Sequence, residues 1–145
     1  QRLRKHSTAP IYFASIAYGA PKALSEQSNL AINSLVDLHD KQVLLVTGIA
    51  NPAPLKDYLS QQAKYVESIA LPDHHLFTKA DYERIQSAYA VLAAKGDTVL
   101  VTTEKDAQRL SLHSLLNISC YYIPITFVFD QEEQIRQDVI NTLAR

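Results

Sequence analysis

An Asp73-His74-His75 triplet stands at the end of the segment VESIALPDHH, residues 66–75. An imidazole close to a carboxylate can be held in one tautomer and used as a base or as a base's partner. Adjacent residues on an extended chain point apart, so the carboxylate that serves His74 can be Asp73 or one from elsewhere. Asp and His are also metal ligands. The nearest further ligand candidates, Asp81 and Glu83, lie at a helix start without matching His spacing, and the one cysteine is distant. Zinc takes four arranged ligands, or three plus water, so no metal site is expected.

Two more polar clusters follow apolar runs. In TVLVTTEKD, residues 98–106, Thr103 and Asp106 suit a helix cap and Glu104 suits the first helical turn. Lys105 fits neither rule, which points to an anion or to an ion pair across the rim. In VLLVTGIANP, residues 43–52, Gly48 and Asn51-Pro52 turn a strand into a helix. That geometry aims backbone N–H groups and the positive helix end at whatever lies above the sheet, favouring a phosphate or carboxylate. Each cluster also has a plain structural reading: a hydrated loop entering a capped helix, a cap, a tight turn. Neither G-x-G-x-x-G nor G-x-x-x-x-G-K-[ST] occurs, and three glycines could hardly build a phosphate loop.

The elements that must position these clusters alternate. An alternating strand is expected around Ile11–Ile16, ended by Gly19-Ala-Pro21, then a loop with a short helix over Ser25–Asp40. Lys41–Thr47 reads as a central parallel strand. A helix capped by Asn51, with Pro52 in its first turn, runs to about Gln62. Tyr65–Leu71 is the next strand, and Thr78-Lys-Ala-Asp81 is a capping box for a helix reaching about Lys95, with Gly96 as its stop. Thr98–Thr102 is a strand, and Thr103–Asp106 caps a shorter helix through about Leu112. Cys120–Phe129 is one strand region interrupted by Pro124, hence an edge or a bulge. Asp130–Glu133 is a third capping box, with a final helix to about Leu143. The expected fold class is therefore α/β: a three-layer, mostly parallel, Rossmann-like sheet without a phosphate loop. Open sheets of this kind place ligand sites at the strands' C-terminal ends, where all three clusters fall.

Composition narrows the function classes. With 145 residues, 47% hydrophobic and 20% charged, the chain suits a single globular α/β domain, with residues 1–10 as a connector. A net charge of −1 and a pI of about 6.6 argue against a nucleic-acid partner. The only basic knot is Arg2, Arg4, Lys5 and His6, at a solvated chain end. Cys120 is expected to be a buried, inert thiol in a reducing compartment. No apolar run approaches the roughly 18–20 residues of a membrane helix. The chain contains no Met and opens on Gln1, which suggests a domain cut from a longer protein.

Taken in order, VTGIANP, PDHHLFT and VTTEKDAQRL resemble the C-terminal half of tetraacyldisaccharide 4'-kinase, the lipid A 4'-kinase of Gram-negative bacteria. The YFASIAYG and IPITFVFD strands fit the same pattern, so the resemblance runs from about Tyr12 to Phe129. It implies one lobe of a two-lobe kinase that moves the ATP γ-phosphoryl group, with Mg²⁺, to the 4'-hydroxyl of a tetraacyldisaccharide 1-phosphate. The phosphate loop, metal-binding acids, base carboxylate and membrane-facing surface would belong to the missing N-terminal lobe. ATP and Mg²⁺ would be bound mainly there, and this fragment alone would be inactive. The resemblance implies that His74, beside Asp73, faces the cleft and partners that base carboxylate. Gly48, Asn51, Thr103, Glu104, Lys105 and Asp106 would shape the cleft, meet phosphate or contact the other lobe. The parent would work at the cytoplasmic side of the inner membrane, touching the membrane through its other part.

Two readings from other classes compete. One is a stand-alone, non-catalytic α/β module that binds an anionic ligand at the Asn51 helix end. The other is a metal-dependent phosphoesterase remnant, since Asp-His-His triplets occur in two-metal phosphoesterases. Those sites need several separated Asp residues at strand ends, which this chain does not place.

Overall fold

The computed structural model describes residues 10–24 and 30–143. The basic knot, nearly all of the residue 1–10 connector and residues 25–29 lie outside them. The described chain forms two compact units: residues 19–124, and a second unit containing residues up to Tyr18 together with those from Ile125 onward.

The larger unit is built on a five-stranded sheet. Its strands are β2 (Lys22–Ala23), β3 (Gln42–Thr47), β4 (Tyr65–Ala70), β5 (Thr98–Thr103) and β6 (Cys120–Ile123), in the order β2-β6-β5-β3-β4. All pairings are parallel except β2 with β6. β3 is an interior strand, paired in parallel on both sides one place from the sheet edge, and all six of its residues are buried. It pairs with β4 from Gln42↔Tyr65 to Thr47↔Ala70, and with β5 from Gln42↔Thr98 to Leu45↔Val101.

The helices α1 (Ala53–Gln62) and α2 (Lys79–Ala93) are the crossovers from β3 to β4 and from β4 to β5. Leu44, Val46 and Leu100 join Ile85 and Leu92 of α2 in one buried cluster. Val43, Leu45, Val99 and Val101 alternate with them and serve the opposite face of the sheet. Leu38, Leu55 and Leu59 are buried as well. The architecture is the expected α/β one. The chain runs from β3 out to β4 and then returns to the far side of β3 to form β5. That reversal makes the β3/β5 junction the switch point where α/β sheets open a crevice.

Local chemistry explains the element ends. Thr78 accepts from the Asp81 amide at 3.3 Å while the Asp81 carboxylate takes the Thr78 amide at 2.7 Å, so the expected capping box forms. α2 ends at Ala93, and Gly96, at φ +155°, takes the backbone into β5. The α1 cap falls one residue later than expected: Pro52 is the N-cap, and Asn51 Oδ1 accepts from Ala53 N at 3.3 Å. The helix after β5 is a single turn, α3 (Glu104–Ala107), rather than one reaching Leu112. Residues Leu112–Leu115 form a separate 3-10 turn, and the buried Leu110 between the two joins the core cluster.

The second unit corrects the reading of both flanking strands. Cys120–Phe129 is not one interrupted strand but two, β6 and β7 (Ile125–Phe129), in different sheets. Pro124, which has no N–H to give a ladder, is the residue between them, and its carbonyl accepts the Gly19 amide at 2.9 Å. β7 pairs antiparallel with β1 (Ala14–Tyr18), from Ala14↔Phe129 to Tyr18↔Ile125, in a two-stranded ribbon. α4 (Glu132–Leu143) follows β7, and Tyr12 hydrogen-bonds Asp138 on it. The Asp130 carboxylate takes the Phe13 amide at 3.2 Å, so it bonds this ribbon rather than its own helix. Among the described residues, no helix is long and apolar enough to cross a membrane.

Candidate active site

The C-terminal ends of β3, β4 and β5 bring residues of all three clusters together. Pro72–His75 is a tight turn after β4, closed by the His75 amide on the Pro72 carbonyl at 3.1 Å. His74 sits in it at φ +59°, a left-handed backbone that costs a non-glycine residue about 1 kcal/mol. Its amide reaches Asp73 Oδ1 at 3.0 Å and the Gly48 carbonyl at 3.3 Å. The backbone of His74 is therefore pinned, while its side chain remains 75% exposed.

Lys105, the cation that capping rules leave unexplained, ties this turn to α3. Its Nζ donates to Asp73 Oδ1 at 3.0 Å and stands 3.4 Å from His74 Nε2. The neighbouring Lys105 ammonium holds the Asp73 carboxyl below the usual range, with His74 adding to the effect and partial burial opposing it. Asp73 Oδ2 stands 3.7 Å from the same nitrogen; in the neutral tautomer that accepts from Lys105 at Nε2, the proton is on Nδ1.

Beneath this exposed group lies a buried one. Asp106 is fully buried; its Oδ2 takes the Gly48 amide at 2.9 Å and the Thr103 hydroxyl at 2.8 Å, and its Oδ1 pairs with Arg109. Thr103 Oγ1 in turn accepts from the Asp106 amide at 3.1 Å. Gly48 needs its missing side chain here. A Cβ would meet Asp106 Oδ1 at 3.2 Å and the Pro72 carbonyl at 3.4 Å. The Arg109 guanidinium also donates to the Gly48 carbonyl at 3.3 Å and to the His75 carbonyl at 3.2 Å.

His75 faces a different way from His74. Its Nε2 is 2.8 Å from Asp81 Oδ2. Asp81 is lowered to about 2 by the Thr78 side chain first, then by His75 and the Thr78 amide. His75 thus fastens the turn to the start of α2 and leaves His74 as the presented imidazole.

Of the residues singled out in sequence, Asp73, His74, Lys105, Gly48, Thr103 and Asp106 form one connected network. Asp106 acts on the rim only through what it holds. Asn51 and Glu104 are exposed, and no hydrogen bond joins either to the network among the described residues. Arg109 was missed, although its spacing of three from Asp106 on a helix start was a usable signal. Among the described residues, no group of three or more His, Cys, Asp and Glu side chains is placed to hold a metal ion. With no phosphate loop in the sequence either, the residues here do not fit Mg²⁺-ATP as its principal holders.

Comparison with known proteins gives this arrangement a context. The model of the family described as tetraacyldisaccharide-1-P 4'-kinase matches residues 4–144. A tetraacyldisaccharide 4'-kinase of Phocaeicola vulgatus is 39% identical over 129 residues, covering 86% of this chain and 34% of the relative. The enzyme of that name from Bacteroides thetaiotaomicron is 33% identical over 153 residues, covering 97% of this chain and 40% of the relative. Its namesake from Methylobacillus flagellatus is 34% identical over 110 residues, covering 76% of this chain and 28% of the relative. The chain therefore spans between a quarter and two-fifths of the length of these relatives. No solved structure matches it significantly.

Proposed function

The chain belongs to the tetraacyldisaccharide-1-P 4'-kinase family, and from that premise we propose that it is the C-terminal lobe of a lipid A biosynthesis kinase. The whole enzyme moves the ATP γ-phosphoryl group to the 4'-hydroxyl of a tetraacyldisaccharide 1-phosphate. An N-terminal lobe carrying a phosphate loop holds ATP and Mg²⁺. This lobe contributes His74, and without its partner lobe it is inactive. The parent works at the cytoplasmic side of the inner membrane and touches the lipid surface through its other part.

The observation that carries the reading is the state of His74: a backbone fixed by two hydrogen bonds and an imidazole left exposed at the switch-point rim. The His75 ring is drawn in against Asp81 with its side chain 25% exposed, whereas the His74 ring, touched only on its Nε2 edge, stays open to the rim. With Lys105 on the Nε2 side, the Nδ1–H is the group that meets the base carboxylate of the other lobe. It fixes that carboxylate's orientation as it takes the proton of the attacking 4'-hydroxyl. Asp73 and Lys105 hold the imidazole between them. Phosphoryl transfer itself relies on the phosphate and metal contacts of the other lobe, which supplies most of the stabilisation.

The test is transfer of labelled phosphate from ATP to the tetraacyldisaccharide 1-phosphate by the whole enzyme, by this chain alone and by the whole enzyme carrying His74→Ala. Product from the whole enzyme only, with His74→Ala lowered about 10²–10⁴-fold in kcat, is expected. Full turnover by His74→Ala would remove the role. A stand-alone anion-binding module would instead show phosphate-induced shifts of the Asn51 and Ala53 amides in this chain.

A further inference from the structure

We infer that Arg109 is a positioning residue for His74, an inference that rests on the catalytic reading of His74 above. His74 occupies the third place of the Pro72–His75 turn at φ +59°. Glycine is the residue that takes such a place without strain. An imidazole stays there only where the surroundings over-determine the turn.

Beside the exposed Lys105 tie to Asp73, three groups of bonds do so. The Asp73 carboxylate accepts the His74 amide within the turn itself. His75 is fastened to Asp81, outside it. The third is Arg109. Its Nη1 donates to the carbonyl of His75, the residue after His74, at 3.2 Å. Its Nη2 donates at 3.3 Å to the carbonyl of Gly48, the same atom that accepts the His74 amide. Among the described residues, Arg109 is the one side chain hydrogen-bonded both to Gly48 and to the turn. Asp106 holds the guanidinium from below and takes the Gly48 amide with its other oxygen. The ends of β3, β4 and β5 are thereby fixed to one another through a single planar group.

The geometry calls for arginine. A guanidinium offers several N–H donors in a rigid fork and can bond two carbonyls and a carboxylate at once. An ammonium on a flexible stem can keep the charge opposite Asp106 but cannot hold both carbonyls in the same plane. Arg109 side-chain exposure is 22%, its Nη1 and Nη2 bond the protein and its Nε is buried without a partner, so it acts through the backbone of His74 rather than on substrate.

The experiment is a double-mutant cycle in the whole enzyme between Arg109→Lys and His74→Ala, read as kcat and as KM for ATP and for the tetraacyldisaccharide 1-phosphate. A misplacement of about 1 Å can cost about 10²-fold in rate. Arg109→Lys is expected to lower kcat by about 10–10²-fold with both KM values within about twofold. In the His74→Ala background it is expected to lower kcat by less than about twofold more, because the imidazole it places is gone. A loss that adds fully to that of His74→Ala, or an Arg109→Lys enzyme as fast as the parent beside a slow His74→Ala, overturns the positioning role and leaves the reading of His74 standing. A His74→Ala enzyme at parental speed overturns both. If Arg109→Lys does not fold, the charge-neutral pair Asp106→Asn with Arg109→Gln takes its place in the same cycle, with the same outcomes.

Discussion

Replacing Asp106 by Ala tests the buried network most sharply. The carboxylate is fully buried, and three partners depend on it: the Gly48 amide at 2.9 Å, the Thr103 hydroxyl at 2.8 Å and the Arg109 guanidinium. Breaking a buried pair by removing one partner costs about 3–5 kcal/mol, because the other charge is left uncompensated. Arg109 keeps 22% side-chain exposure, so water recovers part of its solvation and the lower end of that range applies, about 3 kcal/mol. With a urea slope of about 2 kcal/mol/M, the unfolding midpoint falls by about 1.5 M. Lys105→Ala is the control. It breaks a pair with Asp73 in which both side chains are well exposed, worth under about 1 kcal/mol and so under about 0.5 M. The assay is urea unfolding of the 145-residue chain followed by circular dichroism, with hydrogen exchange at the Gly48 amide as a local probe. Equal midpoint shifts for the two variants, or a Gly48 amide still protected in Asp106→Ala, would refute the idea that Asp106 anchors the rim.

Further outcomes follow from other parts of the unit. Gly48→Ala forces a methyl to 3.2 Å from Asp106 Oδ1, and it is expected to cost about 1–3 kcal/mol in the same urea assay. The folded Asp81 carboxyl, at about 2, lies below its ordinary 3.8, so its contribution is complete above the unfolded value and is lost as pH falls through about 2. Thr78→Ala removes the largest cause and should move the Asp81 carboxyl titration, followed by NMR, upward toward 3.8. Burial pushes the Cys120 thiol up to about 12, so a thiol reagent at pH 8 should label the chain only after unfolding, with one equivalent per chain.

The central part of the fold was legible because local and global signals agree there. Lys41–Thr47 and Thr98–Thr102 are apolar runs too short for helices, and Thr78 with Asp81 spells out a helix start that forms as written. The strand pairing after Cys120 was not legible. Period-two patterning tells which side chains share a face but not which sheet a strand joins, and Pro124 reads equally well as a bulge or as a departure. The short α3 has a similar cause. Leu110 is drawn into the core and Arg109 toward two carbonyls, and these tertiary contacts end a helix that local propensity would have continued. At the site, Lys105 stands out in the sequence because a cation in the first turn of a helix opposes the macrodipole. Arg109 breaks none: its spacing of three from Asp106 signals a pair, but its bonds to Gly48 and His75 come only from the convergence of three loops in space.

The most direct measurement is kcat of the whole enzyme against its His74→Ala variant, with ATP and tetraacyldisaccharide 1-phosphate both saturating. A fall of about 10²–10⁴-fold with an unchanged urea midpoint is the result expected if this lobe supplies the partner of the catalytic base. A kcat within about twofold of the parent would contradict it, for a general base's partner cannot be removed at so small a cost.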